Sequence, residues 1–308
     1  MALTLIEAAK QTDDLVRQAI IELYASSSEI LRVLPFEGIP GNALRYNREE
    51  TLPGIGFRGI NEGYTESTGI LNPITETLTI AGGDLDVDKF IIDTMGMDQR
   101  SVQEAMKVKA LALNWTLQFI KGDSTTNPRV FDGLQARITG NQLIAAGSTA
   151  NGDALSLMKL DELIDQVQNP THLVMNKTMR RLLTQAARDT SVGGFVTTTK
   201  DEFGRQMYMY ADLPILIVEN DNTDMQILNF NEACPAGGTA TGTSIYCVSF
   251  AEGMLTGIQN GGIDARDLGE LEAKPAFRTR VEWYAGLSCY HGRAAARLWG
   301  IKNAAVVK

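Results

Sequence analysis

The chain has 308 residues, 44% of them hydrophobic, which is enough for one large or two modest domains with a real core. A formal net charge of −9 opposes tight binding of nucleic acid, whose affinity comes mainly from cations displacing condensed counterions. An uncharged apolar run of membrane-spanning length is absent, the opening MALTLIEAAKQTDD lacks a secretion signal's basic and apolar segments, and Cys234, Cys247 and Cys289 form no close pair.

These features argue for a soluble protein of a reducing compartment, without a disulfide framework or CxxC metal site. In chain order, residues 1–48 read as an arm. It starts with two short helical stretches, the second carrying Leu15, Ile20, Leu23 and Tyr24 after a possible N-cap at Thr12. Residues 49–90 are rich in Gly, Pro and Asn and read as a long extended hairpin. Ile74, Leu78 and Ile80 share a parity that Leu85 and Val87 break, so the Gly82-Gly83 pair suggests a bulge.

The clearest helix runs from Met97 to Lys121, with Ser101 and Glu104 spaced for a capping box and Gly122 after the last turn. Its second half is apolar nearly all round (Leu111, Leu113, Trp115, Leu117, Phe119, Ile120) and is expected to be buried as a spine. From 130 to 260 the pattern becomes α/β: helix 155–168, strand THLVM, helix 177–189 and strand PILIVEND. NEACPAGGTATGTS reads as an exposed loop. From Ile245 onward the reading is mostly strand, including AFRTRVEWYAGLSCYHG, and this segment is expected to return and pack on the spine.

Catalytic and cofactor motifs do not stand up in context. Gly54, Gly56 and Gly59 spell the dinucleotide pattern GxGxxG, but Pro53 replaces the preceding strand and Gly63 follows before a helix could start. Asp84, Asp86 and Asp88 alternate like calcium-loop ligands, yet Lys89 stands at the loop's glycine position and Met95 at its glutamate. They read as the acidic face of a strand whose other face holds Leu85 and Val87. His172 and His291 have no ligand-spaced partner and read as structural; no nucleophile elbow, Walker loop or HExxH occurs. The expectation is no catalytic, cofactor-binding or metal residue.

One charge pattern remains. Residues 49–88 hold Glu49, Glu50, Glu62, Glu66, Glu76, Asp84, Asp86 and Asp88 against Arg58 alone. Residues 274–308 reverse this, with Lys274, Arg278, Arg280, Arg293, Arg297, Lys302 and Lys308 against Glu282. The acidic hairpin could meet the basic tail, or both could be separately solvated faces.

The order of parts, with LRYNREETLPGIGFRGINEGY at the arm-to-loop junction and LVMNKTMRRLLTQAARD followed by LPILIVEND in the α/β region, resembles the Hong Kong 97-type major capsid protein of tailed bacteriophages. The resemblance implies an α+β capsid fold. Its parts are an N-terminal arm (1–48), an extended loop (49–90), a peripheral domain (91–129 and 261–308, spine helix 98–121) and an axial domain (130–260). It implies a virion component that self-assembles, as hexamers and pentamers, into an icosahedral shell around double-stranded DNA. It further implies assembly in the host cytoplasm with a portal, a separate scaffold or none, and in some relatives a decoration protein. Contact with DNA is expected to be weak and nonspecific, and a membrane has no part.

By the same resemblance, the extended loop lies over a neighbour. Arg58, Glu62, Glu66 and Glu76 on one subunit, with Arg278 and Arg280 on the next, are the expected intersubunit contact, and Gly54, Gly56, Gly59 and Gly63 the loop hinge. Some members weld subunits by a Lys-to-Asn isopeptide bond from this loop. Here no lysine occurs between Lys10 and Lys89, so no such crosslink is expected. An encapsulin-like compartment shell shares the fold, and an α/β enzyme is the alternative from another class.

Overall fold

The structure is a computed structural model and describes residues 28–95, 98–148, 150–188, 196–200, 206–238 and 241–307. The expected helices around Thr12, Leu15, Ile20, Leu23 and Tyr24 lie outside these residues. The described chain opens with one turn of helix, α1 (Glu29–Val33), and a short strand, β1 (Phe36–Gly38). Strands β2 (Ala43–Thr51) and β3 (Ile70–Thr77) pair antiparallel as a two-stranded ribbon, Ala43 opposite Thr77, with residues 52–69 as its tip. Strand β4 (Thr79–Asp88) and helix α2 (Lys89–Met95) lead to the spine, α3 (Asp98–Lys121).

Val108, Leu111, Ala112, Trp115, Phe119 and Ile120 recur three and four apart along α3 and are all buried. Leu113 and Leu117 are only partly covered, and Val102 and Met106 in the first half are exposed. The helix is thus sunk along one stripe in its C-terminal half rather than all round. It stops where Gly122 and Gly133 come together: a Cβ on Gly122 would lie 2.3 Å from the Phe131 carbonyl, and one on Gly133 2.4 Å from that of Gln118. Only residues without side chains fit this contact.

The next elements are α4 (Leu134–Arg137), β5 (Leu143–Ala145), α5 (Leu157–Gln166), β6 (His172–Asn176), α6 (Lys177–Ala186), β7 (Val196–Lys200), β8 (Gln206–Tyr210), β9 (Leu213–Val218), β10 (Glu232–Ala233) and β11 (Thr241–Val248). Asn176 ends β6 and caps α6: its side chain accepts from the Met179 N–H at 2.7 Å and donates to the Leu228 carbonyl at 2.8 Å. The chain closes with β12 (Leu255–Gln259), β13 (Asp264–Glu270), β14 (Ala276–Cys289) and β15 (Ala295–Ile301).

Two sheets result. In the first, the order is β1-β12-β14-β13, with β4 pairing along β14. The spine packs on it through an aromatic core in which Trp115 lies 5.4 Å from Phe119, 5.7 Å from Phe36 and 5.8 Å from both Phe131 and Trp283. In the second, β5-β15-β11-β6-β9-β8-β7, parallel and antiparallel pairs mix, and a separate core of Leu155, Leu160, Leu163, Leu173, Met175, Met179 and Leu298 forms beneath α5 and α6.

Several expectations need correction. The ribbon is built from 43–51 and 70–77, whereas 79–88 leaves it for the first sheet, so the extended segment does not run to 90. Phe36–Gly38 also pairs with β12, so part of the expected arm is sheet. The 260/261 boundary does not follow the sheets: β12 lies in the first and β15 in the second. Gly82-Gly83 makes no bulge, because β4 pairs with β14 in continuous register from Asp88–Ala276 to Thr79–Ala285. Gly82 instead permits close approach, since a Cβ there would lie 2.3 Å from the Val281 carbonyl.

Ser101 and Glu104 form no capping box. The helix already includes Ser101, and Glu104 accepts from the Thr279 hydroxyl at 2.7 Å. Within NEACPAGGTATGTS, Cys234 is buried and Thr241–Ser244 begin the buried strand β11, which shortens the expected loop.

His172 is structural in its surroundings: its Nδ1 lies 3.0 Å from the Thr171 hydroxyl and its ring 5.3 Å from Phe250. Burial holds its imidazole down at about 4, against an ordinary 6.5. The unfolded chain therefore takes up this proton below about pH 6.5 and the folded chain only below about 4, so stability falls as pH drops through that window. In His172→Gln the loss of stability between pH 6.5 and 4, read by urea denaturation, is expected to be smaller than in the parent.

Candidate functional site

The surfaces able to meet another chain are the ribbon tip and the open face of the first sheet. The tip is apolar rather than acidic. Leu52 is 74% exposed, Ile55 94%, Phe57 105%, Ile60 94% and Tyr64 70%. Exposed apolar groups of this extent mark surfaces that meet another molecule. The expected charged residues are committed locally. Glu62 accepts from the Gly59 N–H at 2.9 Å, Arg58 donates to the Glu62 carbonyl at 3.1 Å, and the Arg58 guanidinium sits 5.2 Å over the Tyr64 ring. Ser67 donates to the Gly54 carbonyl at 2.7 Å and closes the base of the tip.

The turn itself falls on Asn61, whose φ is 68°. A Cβ on Gly56 or Gly63 would meet nothing within 4 Å, and Gly54 and Gly59 are not left-handed either. Gly59 is the tightest of the four expected hinge glycines, since a Cβ there would lie 3.1 Å from the Glu62 carboxylate. Glu66 is exposed at the tip.

The open sheet face explains the acidic alternation. Asp84 and Arg280 are cross-strand partners, as are Asp86 and Arg278. Arg280 grips Asp84 with bonds of 2.6 and 2.9 Å, and Arg278 grips Asp86 with the same pair of lengths. Lys274 adds a 2.6 Å contact to Asp86. Arg266 reaches Glu282 and Asp264 beside them. The Arg280 bonds hold the Asp84 carboxyl below the ordinary carboxylate range, and those of Arg278 and then Lys274 do the same, more strongly, for Asp86. Such lowering stabilises the fold above about pH 4 and is lost as acid protonates the pair. Asp88 instead accepts from the Phe90 N–H at 2.8 Å, at the start of α2.

Arg278 and Arg280 are therefore neutralised inside the chain, and Glu76 is likewise taken, held by Arg137. The acidic segment and the basic segment thus meet within one chain, through Asp84 and Asp86, rather than standing as separately solvated faces. The tail is not one face either. Arg297 is buried against Glu232 at 3.2 Å, and Arg293 donates to the Gln166 and Asp165 carbonyls at the end of α5. Sequence reasoning missed the apolar tip, although Ile55, Phe57 and Ile60 amid glycines were its signal. Among the described residues, no group of His, Cys, Asp and Glu could hold a metal ion, and no helix is long and apolar enough to cross a membrane.

Comparison with known proteins gives a partial family match and a shared fold. A family described as Major capsid protein GP7 matches residues 12–158, just under half of the chain. Comparison with curated proteins by sequence finds no match. Among solved structures, the holo-SrpI encapsulin complex from Synechococcus elongatus PCC 7942 is similar at TM-score 0.65 and 15% identity, covering 100% of this chain and 99% of the other. The capsid of a native GTA particle gives 0.58 and 15%, covering 89% and 90%. A structure of Microbacterium phage Oxtober96 gives 0.63 and 11%, also covering 89% and 90%.

The fold is thus that of the shell-building proteins of the Hong Kong 97 type. Over residues 12–158 the chain is similar to the major capsid protein family, and along its length it shares its fold with solved shell proteins.

Proposed function

We propose that the chain is a major capsid protein whose copies assemble into the icosahedral head of a tailed bacteriophage, built in the host cytoplasm around double-stranded DNA and held together without covalent crosslinks. The observation that carries the reading is the ribbon tip: Ile55, Phe57 and Ile60 are almost wholly exposed on one chain and need a second copy to cover them. A tip that leaves its own subunit and lands on a different patch of the next makes a head-to-tail contact, the kind that closes into rings and shells. The acidic balance supports a container whose wall does not bind its contents tightly. Hexamers and pentamers, a portal, and a scaffold or decoration protein are the partners such a head uses.

Purified protein is expected to form large particles by negative-stain microscopy, and a stable small oligomer would overturn the shell reading. On a denaturing gel these particles are expected to run as monomer, since the ribbon holds no lysine; a covalent ladder would contradict the non-covalent assignment.

A second reading is favoured by the full-length similarity to the Synechococcus encapsulin: a compartment enclosing protein instead of a genome. Nuclease-protected DNA in particles from infected or induced cells supports the phage head. A co-purifying protein cargo supports the compartment.

A further inference from the structure

The ribbon is a two-stranded sheet of its own, yet its root is tied to the rest of the chain by partly buried side chains. Between Ala43 and Thr77, the described side chains that hydrogen-bond to the rest of the chain are those of Tyr46 and Glu76. They lie diagonally across the β2–β3 pair, Tyr46 opposite Ile74 and Glu76 opposite Leu44. The Tyr46 hydroxyl lies 2.8 Å from the Cys289 carbonyl and 3.3 Å from Glu76, within bonding reach of both. Burial and then the Glu76 charge hold its phenol well above the ordinary value, so it stays protonated as a donor.

Arg137 closes the cluster. Its guanidinium takes both oxygens of Glu76, the second at 2.7 Å, and also donates to the Leu287 carbonyl at 3.0 Å and the Asp132 carbonyl at 2.7 Å. The two side chains are only 14% and 13% exposed. Arg137 is linked to the crowded Gly122–Gly133 contact that ends the spine, its backbone N–H donating to the Gly133 carbonyl at 3.2 Å. On the other side, the Tyr46 ring lies 4.6 Å from that of Tyr290, whose hydroxyl donates to Glu37 at 2.6 Å. An unbroken line of contacts therefore runs from the spine's end, through Arg137, Glu76, Tyr46 and Tyr290, to β1.

We propose that the Tyr46–Glu76–Arg137 cluster is an aiming clamp that fixes the direction of the ribbon against the spine before any neighbour arrives. The proposal rests on the shell reading above, because a fixed direction matters only if the tip must land on another subunit. A bidentate arginine with two further carbonyl acceptors holds an angle where one exposed pair would not. A ribbon pre-set in this way gives up less freedom on association, and subunits joined through it share one geometry.

The test uses two full-length variants, Tyr46→Phe and the double change Glu76→Leu with Arg137→Met. The second removes both charges together and so leaves no buried ion unpaired. In dissociated subunits, amide hydrogen exchange across 43–48 and 72–77 is expected to accelerate about tenfold or more, with the spine amides of 108–120 unchanged. Ribbon exchange at the parent rate in both variants would overturn the clamp, as would acceleration only in step with the spine. In assembled samples the variants are expected to give a broader spread of particle diameters than the parent, and an unchanged spread would count against the clamp. Exchange is read before assembly, so it decides the clamp even if the parent forms no particles and the shell reading falls.

Discussion

Replacing Ile55, Phe57 and Ile60 together by serine is expected to leave the subunit folded and to abolish shell formation. The three side chains are 94%, 105% and 94% exposed, so they contribute nothing to packing within their own chain. Exposed positions of this kind change stability by roughly 0.5 kcal/mol or less when substituted. Covered by a neighbour, each would contribute about 1.5–3 kcal/mol of apolar burial. Three of them supply on the order of 5 kcal/mol per subunit, equivalent to more than a thousandfold in the concentration needed to assemble. Urea denaturation should be unchanged, while sedimentation shows slow species only. Full-sized particles at the parent's concentration would show that the tip is not an assembly contact.

The opposite pattern is expected for Trp283→Ala. Trp283 is completely buried, 5.3 Å from Phe36 and 5.8 Å from Trp115, and its indole N–H donates to Gln259 at 3.1 Å. It joins four segments that the chain itself keeps far apart: β1, the spine, β12 and β14. Removing a side chain of this size from a packed core costs about 3–5 kcal/mol, a large part of a total of roughly 5–15 kcal/mol. The urea midpoint should fall by a corresponding amount and the yield of soluble subunit should drop, before assembly is even attempted. A loss below about 1 kcal/mol would mean that the two tryptophans do not hold spine to sheet. The two variants separate folding from assembly: one lowers stability and the other leaves it untouched.

Charge reversal at Arg278 and Arg280 would not isolate a contact between subunits. New glutamates there would face Asp86 and Asp84 of the same chain, so failed assembly would report a disturbed sheet as readily as a lost contact with a neighbour. Apolar substitutions at the tip are the cleaner probe. The acidic run from Glu49 to Asp88 misled because it joined two different structures: Asp84 and Asp86 belong to a sheet, Glu62 and Glu66 to an exposed tip. Charges close in sequence shared a sign without sharing a surface.

Local regularity determined what could be read from the sequence alone. The spine helix was legible from its dense apolar run, Leu111 to Ile120, closed by Gly122, and α6 and β9 because their patterns are equally short-ranged. The strand alternation of Asp84, Leu85, Asp86 and Val87 was legible for the same reason. Only the tertiary structure decided which partner each charge takes. Asp86 and Arg278 are 192 residues apart, and Arg137 and Glu76 are 61 apart. No local pattern encodes such a pairing, which follows from the register of β4 on β14 and from the glycine contact that ends the spine. The placement of β15 in the second sheet and the burial of Arg297 belong to the same class, because a strand's own sequence specifies its faces but not the sheet that receives it.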